Sequence, residues 1–215
     1  LPGLLDLHTH VTDIPENTAD FRIYPRRSPD EHMGFARTNA TATLQAGFTT
    51  VRDLGSAPRG GFALRDATAK GLIPGPRVVA AGTAISIIGG HGDVSGFRPE
   101  VNAALDGKNT CTGPDQCAAR VREASKNGAD VIKITATGGV LSQQGRGLDQ
   151  HFTDDEMRAI VTTGYDRAKQ VLTDNIDQLH AIAGALLEYE TLTGDEIKKV
   201  MDGGTVDRGS ATTTP

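Results

Sequence analysis

Short apolar segments that suit β-strands alternate with helical segments over the first 150 residues of this 215-residue chain. The predicted strands are residues 3–8, 49–54, 77–81 and 130–135, and the predicted helices are residues 29–46, 62–70 and 115–127. Strands that alternate with helices predict parallel βα units. Near-continuous apolar strands are typical of a sheet that is buried on both faces. We therefore expect an α/β fold of about four βα units, with Phe35, Ala42 and Leu44 as candidate core residues of the first helix.

The last quarter of the chain has helical patterns only. Thr153 and Glu156 have the spacing of a capping box, which predicts a helix from there to about residue 173. A second helix is predicted over 175–189, and a short third one over 193–203. The apolar residues of the second helix keep helical spacing; they are Ile176, Leu179, Ile182, Ala183 and Leu186. Residues 204–215 are rich in Gly, Thr and Ser, and we expect a disordered tail there.

Composition excludes several classes of protein. Acidic residues outnumber basic ones, 27 to 22, and the chain has six Phe, three Tyr and no Trp. These features argue against a nucleic-acid binder built on basic patches and aromatic stacking. No apolar run is long enough for a transmembrane helix. Two cysteines cannot form a disulfide scaffold for a chain of this size, so we expect a globular enzyme or part of one.

The N-terminus and the two cysteines give information on processing and on the cellular compartment. It opens at Leu1, inside a predicted strand and without a visible signal peptide, so we expect that upstream sequence is missing. Cys111 and Cys117 lie in a predicted polar loop, where two free thiols and a loop-closing disulfide are both open. A disulfide favours an oxidising compartment. The sequence is therefore compatible with a cytoplasmic or a periplasmic protein, and the cysteine pair favours the oxidising compartment, which is the periplasm.

His8 and His10 end the first predicted strand, in the sequence Asp-Leu-His-Thr-His. Alternate residues of a strand point to the same face, so the two imidazoles converge. Such a pair can share a divalent ion, typically zinc. Two packed or solvated histidines at a strand end are the alternative. A series of βα units favours the metal site, because parallel barrels carry their active sites at this edge.

Lys133 interrupts the apolar strand of residues 130–135. A charged lysine that is buried there costs several kcal/mol unless it is paired or neutralised. Burial lowers the pKa of a lysine and frees its amine for covalent chemistry. A neutral amine can take up carbon dioxide and become a carbamate, which binds metal as a carboxylate does. A buried salt bridge is the alternative.

Residues 1 to about 160 resemble the amidohydrolase superfamily, in its imidazolonepropionase-like and Xaa-Pro dipeptidase-like branch. The resemblance lies in four stretches that occur in the family's order: LPGLLDLHTH, LQAGFTTVRDLG, GPRVVAAGTAISIIGGHGD and GADVIKITATGGVLS. It implies a (β/α)₈ TIM-type barrel that hydrolyses amide or peptide C–N bonds with zinc-activated water. By the same resemblance His8 and His10 are metal ligands, a carboxylated Lys133 bridges two zinc ions, and His91 lies near the substrate. An ordinary loop residue is the alternative for His91. The substrates implied are small peptides or N-acyl amino acids.

Other parts of the family's pattern are not found in this sequence. Its two further metal-binding histidines and its catalytic aspartate have no match, and His151 and His180 are not expected to be ligands. No catalytic set is complete, so we expect a partial barrel that is impaired or inactive alone. A partial barrel also leaves strand edges and apolar faces uncovered, which predicts self-association.

The C-terminal helices resemble a different family. From about residue 155, and clearly over 164–203, the sequence is similar to the end of the peptidase domain of the ATP-dependent zinc protease FtsH, whose helices help to build a hexameric ring. The protease's HEXXH motif and ATPase module are absent, so Glu156, Glu188 and Glu190 are expected to be solvated helix charges. The chain therefore resembles a chimera with a barrel portion (1–160), a helical portion (161–203) and a tail (204–215). The alternative function is a non-catalytic helical oligomerisation segment.

Overall fold

The computed structural model of the protein describes residues 3–13, 27–56, 60–94, 96–139 and 149–208. These residues include five strands and seven helices. The strands are β1 (Leu4–Thr9), β2 (Phe48–Asp53), β3 (Arg77–Ala80), β4 (Ser86–Ile87) and β5 (Thr110–Cys111). The helices are α1 (Pro29–Gln45), α2 (Gly60–Ala69), α3 (Pro99–Leu105), α4 (Pro114–Lys126), α5 (Asp154–Asp174), α6 (Ile176–Tyr189) and α7 (Gly194–Met201). The chain divides into two compact units, residues 1–164 and 165–215.

The first unit is α/β, and its main sheet is parallel with the order β1-β2-β3. Thr9 is in register with Asp53, and Asp53 with Ala80. The carboxyl ends of the three strands therefore meet at one edge of the sheet. In the described ranges the strands form this sheet and the separate β4-β5 pair, with no closed barrel.

Small residues let the first helix approach the sheet closely. Ala36 and Ala40 are fully buried against Val51, Val78 and other core residues. The prediction of Phe35 and Ala42 as core residues of this helix was wrong, because both are exposed.

The physical reason is that a different face of the helix packs against the sheet. An alanine stripe packs on the sheet, while the Phe35 ring lies against the guanidinium group of Arg27, 4.7 Å from its centroid. The third predicted core residue, Leu44, is half-buried.

The fourth predicted strand is not a regular strand. Within residues 130–135 only Ile134 forms a bridge, with Ile85. The Ile85 N–H donates to the Lys133 carbonyl (2.8 Å), and the Thr135 N–H donates to the Ile85 carbonyl (3.0 Å). The segment therefore runs parallel to the chain at Ile85 without a longer ladder. The two-residue strands β4 and β5 were not predicted.

A second core surrounds the cysteines. Cys111 and Cys117 form a disulfide with Cα atoms 5.0 Å apart. Both are buried in a cluster with Val121, Phe152 and Ile160. Of the two alternatives for these cysteines, the structure has the disulfide, and neither sulfur is on the surface.

Glu156 departs from its prediction as a solvated charge. Its side chain is buried, at 7% exposure. Its two carboxylate oxygens accept the N–H groups of Gly113 (2.6 Å) and Thr153 (2.8 Å). It thus completes the predicted capping box and also holds the disulfide loop. Glu188 and Glu190 are exposed, as predicted.

The second unit contains the end of α5 and the predicted helices α6 and α7. A Gln178 side-chain N–H of α6 donates to the Met201 carbonyl of α7 at 3.2 Å. Residues 204–208 have no regular secondary structure, but Val206 is buried and Arg208 forms an ion pair with Glu196 at 2.9 Å. The predicted disordered tail therefore starts too early, and its remainder, 209–215, lies outside the described residues. Within the described part of the chain, no helix combines the length and apolarity needed to cross a membrane.

Candidate metal centre

Two histidines converge where β1 ends. The His8 and His10 ring centroids are 5.7 Å apart, with the rings tilted by 49°. Both side chains are exposed. The alternation along the strand therefore places the two imidazoles on one side, at the carboxyl edge of the sheet.

Lys133 reaches this pair from a distant part of the sequence. Its Nζ lies 3.3 Å from Nε2 of His8. Burial, with a smaller contribution from Arg52, lowers the pKa of Lys133. The lysine charge is in turn the main cause that lowers the pKa of His8. Both shifts favour neutral nitrogens, which is the state in which they can bind a metal.

The ring orientation of His10 is set by backbone. Its Nδ1 lies 3.1 Å from the carbonyl oxygen of Gly55 and 3.8 Å from a carboxylate oxygen of Asp13. A carbonyl can only accept a hydrogen bond, so the proton is on Nδ1. In the neutral ring the lone pair is then on Nε2, and a hydrogen bond of this kind orients a histidine for metal binding.

Asp53 lies beside the histidine pair and was missed as a site residue from sequence. It is fully buried at the end of β2, and one carboxylate oxygen accepts the Val11 N–H at 2.9 Å. The other oxygen, Oδ2, is also buried, with the Ser56 side chain beside it. Burial raises the pKa of Asp53 to about 6. An acidic residue that ends an apolar strand, at the edge where His10 follows β1, is the sequence signal that could have found it.

His91 is near the same group of nitrogens. Its ring packs so closely on Gly139 that a Cβ at residue 139 would lie 2.2 Å from a ring carbon. Burial lowers the pKa of His91, and the charges of His151, Lys133 and His10 lower it further. His91, His10 and Lys133 therefore share one electrostatic environment.

His151 and His180 differ in their surroundings. Both ring nitrogens of His151 are buried without a hydrogen-bond partner. The His151 charge acts on His91, and no sequence pattern indicates this proximity, because His151 only precedes a helix cap. His180 is exposed on α6, in the second unit.

The donor set fits part of a metal site. Two imidazoles and an amine with a lowered pKa suit zinc, which favours nitrogen ligands. Among the described residues, no group of three or more His, Cys, Asp or Glu side chains could hold a metal ion. Lys133 is therefore the third donor that this part of the chain brings to the two histidines.

Comparison with known proteins gives the family. Residues 1–208 match the model of the amidohydrolase family. Ochratoxinase from Aspergillus niger is 26% identical over 220 residues, which cover 94% of this chain and 45% of the ochratoxinase. A crystal structure of a Xaa-Pro dipeptidase with methionine in its active site matches with a TM-score of 0.67 and 34% identity, over 78% of this chain and 41% of that one.

A shorter match involves another protein. The ATP-dependent zinc metalloprotease FtsH of Rickettsia bellii is 54% identical over 54 residues, which are 25% of this chain and 8% of the protease. The chain thus spans less than half the length of each of these relatives. The family model, by contrast, extends over nearly all of it. This chain belongs to the amidohydrolase family.

Proposed function

We propose that this chain carries one part of the active site of a metal-dependent amidohydrolase that cleaves amide or peptide C–N bonds. The observation that carries the proposal is the meeting of His8, His10 and Lys133 at the carboxyl edge of the sheet. The parallel order β1-β2-β3 supports a partial (β/α)₈ barrel, in which this edge holds the chemistry. The similarity to a Xaa-Pro dipeptidase supports Xaa-Pro dipeptides as proposed substrates, and N-acyl amino acids are the other substrate class that we propose.

Zinc is the proposed cofactor, held by His8, His10 and Lys133. The lowered pKa of Lys133 favours the neutral amine that carbon dioxide requires. Addition of carbon dioxide to the neutral amine, with release of one proton, would place beside His8 a carbamate anion that could bridge two metal ions. When zinc is bound, the chemistry it supplies is polarisation of the scissile carbonyl and a water pKa lowered toward about 7.

The protein's own groups have distinct tasks in this proposal. The Gly55 carbonyl holds the His10 ring through Nδ1, so that Nε2 is the nitrogen left for metal. His91, whose pKa burial lowers, is proposed to contact the substrate as a neutral imidazole. The described residues bring no further histidine or carboxylate into a metal-binding group. We therefore expect little turnover from this chain alone.

Metal content tests the proposal. A monodisperse sample is supplied with zinc and ¹³C-bicarbonate, and zinc per chain is measured by elemental analysis, with the carbamate carbon followed by ¹³C NMR. We expect about one or two zinc ions per chain and a carbamate signal that Lys133→Ala removes. His8→Ala/His10→Ala should lose the zinc, while His180→Ala on α6 should keep it. Equal zinc in the double variant and in His180→Ala would overturn the proposed site.

We also propose an oxidising compartment for this protein. The disulfide between Cys111 and Cys117 supports it, because reducing cytosol keeps most protein thiols free. The test is to label free thiols with a thiol-specific reagent in the cells that produce the protein. Free thiols at both cysteines in the mature protein would contradict it.

A second candidate function is assembly through the helices of the second unit, as a segment derived from an FtsH-type protease. The 54-residue match to FtsH supports it. So does the exposed apolar surface of α6, which includes Ile176, Leu179, Leu186 and Leu187. The partner proposed is a second copy of this chain.

Sedimentation of the full chain distinguishes this candidate from catalysis. Leu179→Glu/Leu186→Glu should convert an oligomer to a monomer, while Glu188→Gln on the same helix should not. A wild-type chain that is monomeric at all concentrations tested would remove the candidate.

A further inference from the structure

The turn after β2 holds the segment after β1 at three consecutive residues. The Leu54 N–H donates to the Thr9 carbonyl at 2.9 Å. The His10 imidazole donates to the Gly55 carbonyl at 3.1 Å. The Val11 N–H donates to the Asp53 carboxylate at 2.9 Å. Residues 53–55 thus bind residues 9–11 one by one, and Asp53 is the member of the turn that uses its side chain.

Glycine allows the imidazole to lie on this turn. A Cβ at Gly55 would be 2.9 Å from Cε1 and 3.1 Å from Nδ1 of His10. The close approach therefore requires glycine at this position. It also means that any displacement of the turn is passed directly to the His10 ring.

A second glycine makes room for the Asp53 side chain. A Cβ at Gly61 would be 2.9 Å from Oδ2 of Asp53 and 2.5 Å from Oγ of Ser56. The Gly61 N–H donates to the Ser56 hydroxyl at 3.2 Å. The carboxylate is thus enclosed on the side away from Val11 by the start of α2.

A fully buried carboxyl group is costly in free energy, and a purely structural position would be filled at lower cost by an apolar residue. The bond that offsets part of this cost is the one to the Val11 N–H, immediately after His10. Loss of the bond between the Val11 N–H and Asp53 would free the backbone next to His10. The bond from the Leu54 N–H to the Thr9 carbonyl would remain. The carboxylate is therefore placed to control the orientation of His10 more than the sheet itself.

We propose that Asp53 is a positioning residue, which fixes the orientation and the Nδ1–H tautomer of His10 by binding the Val11 N–H. Through this tautomer Nε2 of His10 stays free as an acceptor. The inference rests on the proposed function only for the use of Nε2 as a zinc ligand, since the tautomer itself exists without metal.

The test is the ¹⁵N spectrum of the imidazoles in metal-free protein near pH 8, with His10 assigned by a His10→Gln variant. We expect wild-type His10 to be in the Nδ1–H form. Asp53→Ala should shift a large fraction to the Nε2–H form, and Asp53→Asn should restore most of the original signal because its amide oxygen can accept the same N–H. Glu156→Gln changes another buried carboxylate that binds backbone N–H groups. It should lower stability and leave His10 unchanged.

An unchanged His10 tautomer in folded Asp53→Ala would overturn the proposal, and so would an Nε2–H form in the wild type. If Asp53→Ala does not fold, Asp53→Leu supplies the test, because leucine fills the buried position and has no group that accepts the Val11 N–H. A normal His10 spectrum in folded Asp53→Leu would also overturn the proposal. Zinc content of the wild type separates the two proposals: a shifted tautomer with no zinc uptake supports the positioning role and removes the metal site.

Discussion

Nζ of Lys133 lies 3.3 Å from Nε2 of His8, although 125 residues separate them in the sequence. The charge of Lys133 disfavours a second charge on His8 at this distance and is the main cause that lowers the pKa of His8. Burial acts on Lys133 in the same direction. Both shifts act in the direction of neutral nitrogens, the state that metal binding and carboxylation need.

The first prediction concerns this pair. Lys133→Met removes the cation that most lowers the pKa of His8, so that pKa should rise toward its ordinary value. The measurement is an NMR titration of the His8 ring in metal-free protein. Lys126→Met, at the end of α4, is the control and should leave the His8 titration unchanged. Identical His8 pKa values in the wild type and in Lys133→Met would show that the two groups do not meet in solution.

The second prediction is a pH dependence of stability that Asp53 causes. Its pKa is raised by burial from 3.8 to about 6 in the folded protein. The stabilisation from its neutral form is therefore complete below about pH 4 and is lost as the pH rises through about 6. Over that window the loss amounts to about 3 kcal/mol, since one pKa unit is about 1.4 kcal/mol.

Urea unfolding from pH 4 to 8 measures this effect. Asp53→Asn cannot ionise, and its free energy of unfolding should fall less over this range than that of the wild type. Asp66→Asn, an exposed residue of α2, is the control and should keep the wild-type slope. Parallel curves for Asp53→Asn and the wild type would contradict the raised pKa.

Local patterns predicted β1 to β3, α1, α2 and α4 to α7 to within about two residues at each end, but not β4, β5 or α3. Strands β1 to β3 and helices α5 to α7 follow from apolar periodicity and caps, which neighbouring residues determine. The convergence of His8 and His10 is equally local, because it depends only on the alternation of a strand.

Contacts between distant segments could not be predicted in the same way. The bond from Val11 to Asp53 spans 42 residues, and the one from Gly113 to Glu156 spans 43. Each depends on which strand or loop lies next to which, and helical or strand periodicity carries no such information. The absence of a regular strand over residues 130–135 could not be predicted for the same reason. Apolar residues can be buried by packing without a full hydrogen-bonded ladder.

The third prediction concerns Glu156. Glu156→Gln places an amide NH₂ where one of two carboxylate oxygens now accepts a backbone N–H, so one donor must face another. We expect a loss of about 1–3 kcal/mol in the free energy of unfolding at pH 7. Glu188→Gln, on the exposed surface of α6, should change it by less than about 0.5 kcal/mol.

The hydrogen bond from Thr153 is the main cause that lowers the pKa of Glu156 in the folded protein. Its stabilisation is therefore present above the ordinary value of 4.5 and disappears as the pH falls through the lowered folded value. The difference between the wild type and Glu156→Gln should shrink in acid. A difference that stays constant down to pH 3 would mean that the carboxylate charge does not contribute.

The last prediction concerns the disulfide. It closes a short loop, with a sequence separation of 6 between Cys111 and Cys117. The loop-closure model gives roughly 2 kcal/mol of stabilisation for so short a loop. Cys111→Ser/Cys117→Ser should lose at least this amount, because two hydroxyl groups would also enter a buried apolar cluster. Reductant should therefore destabilise the wild type and leave the double variant unchanged. The control is to unfold the wild-type protein without reductant and to count its reactive thiols. Two reactive thiols would show that the disulfide does not form.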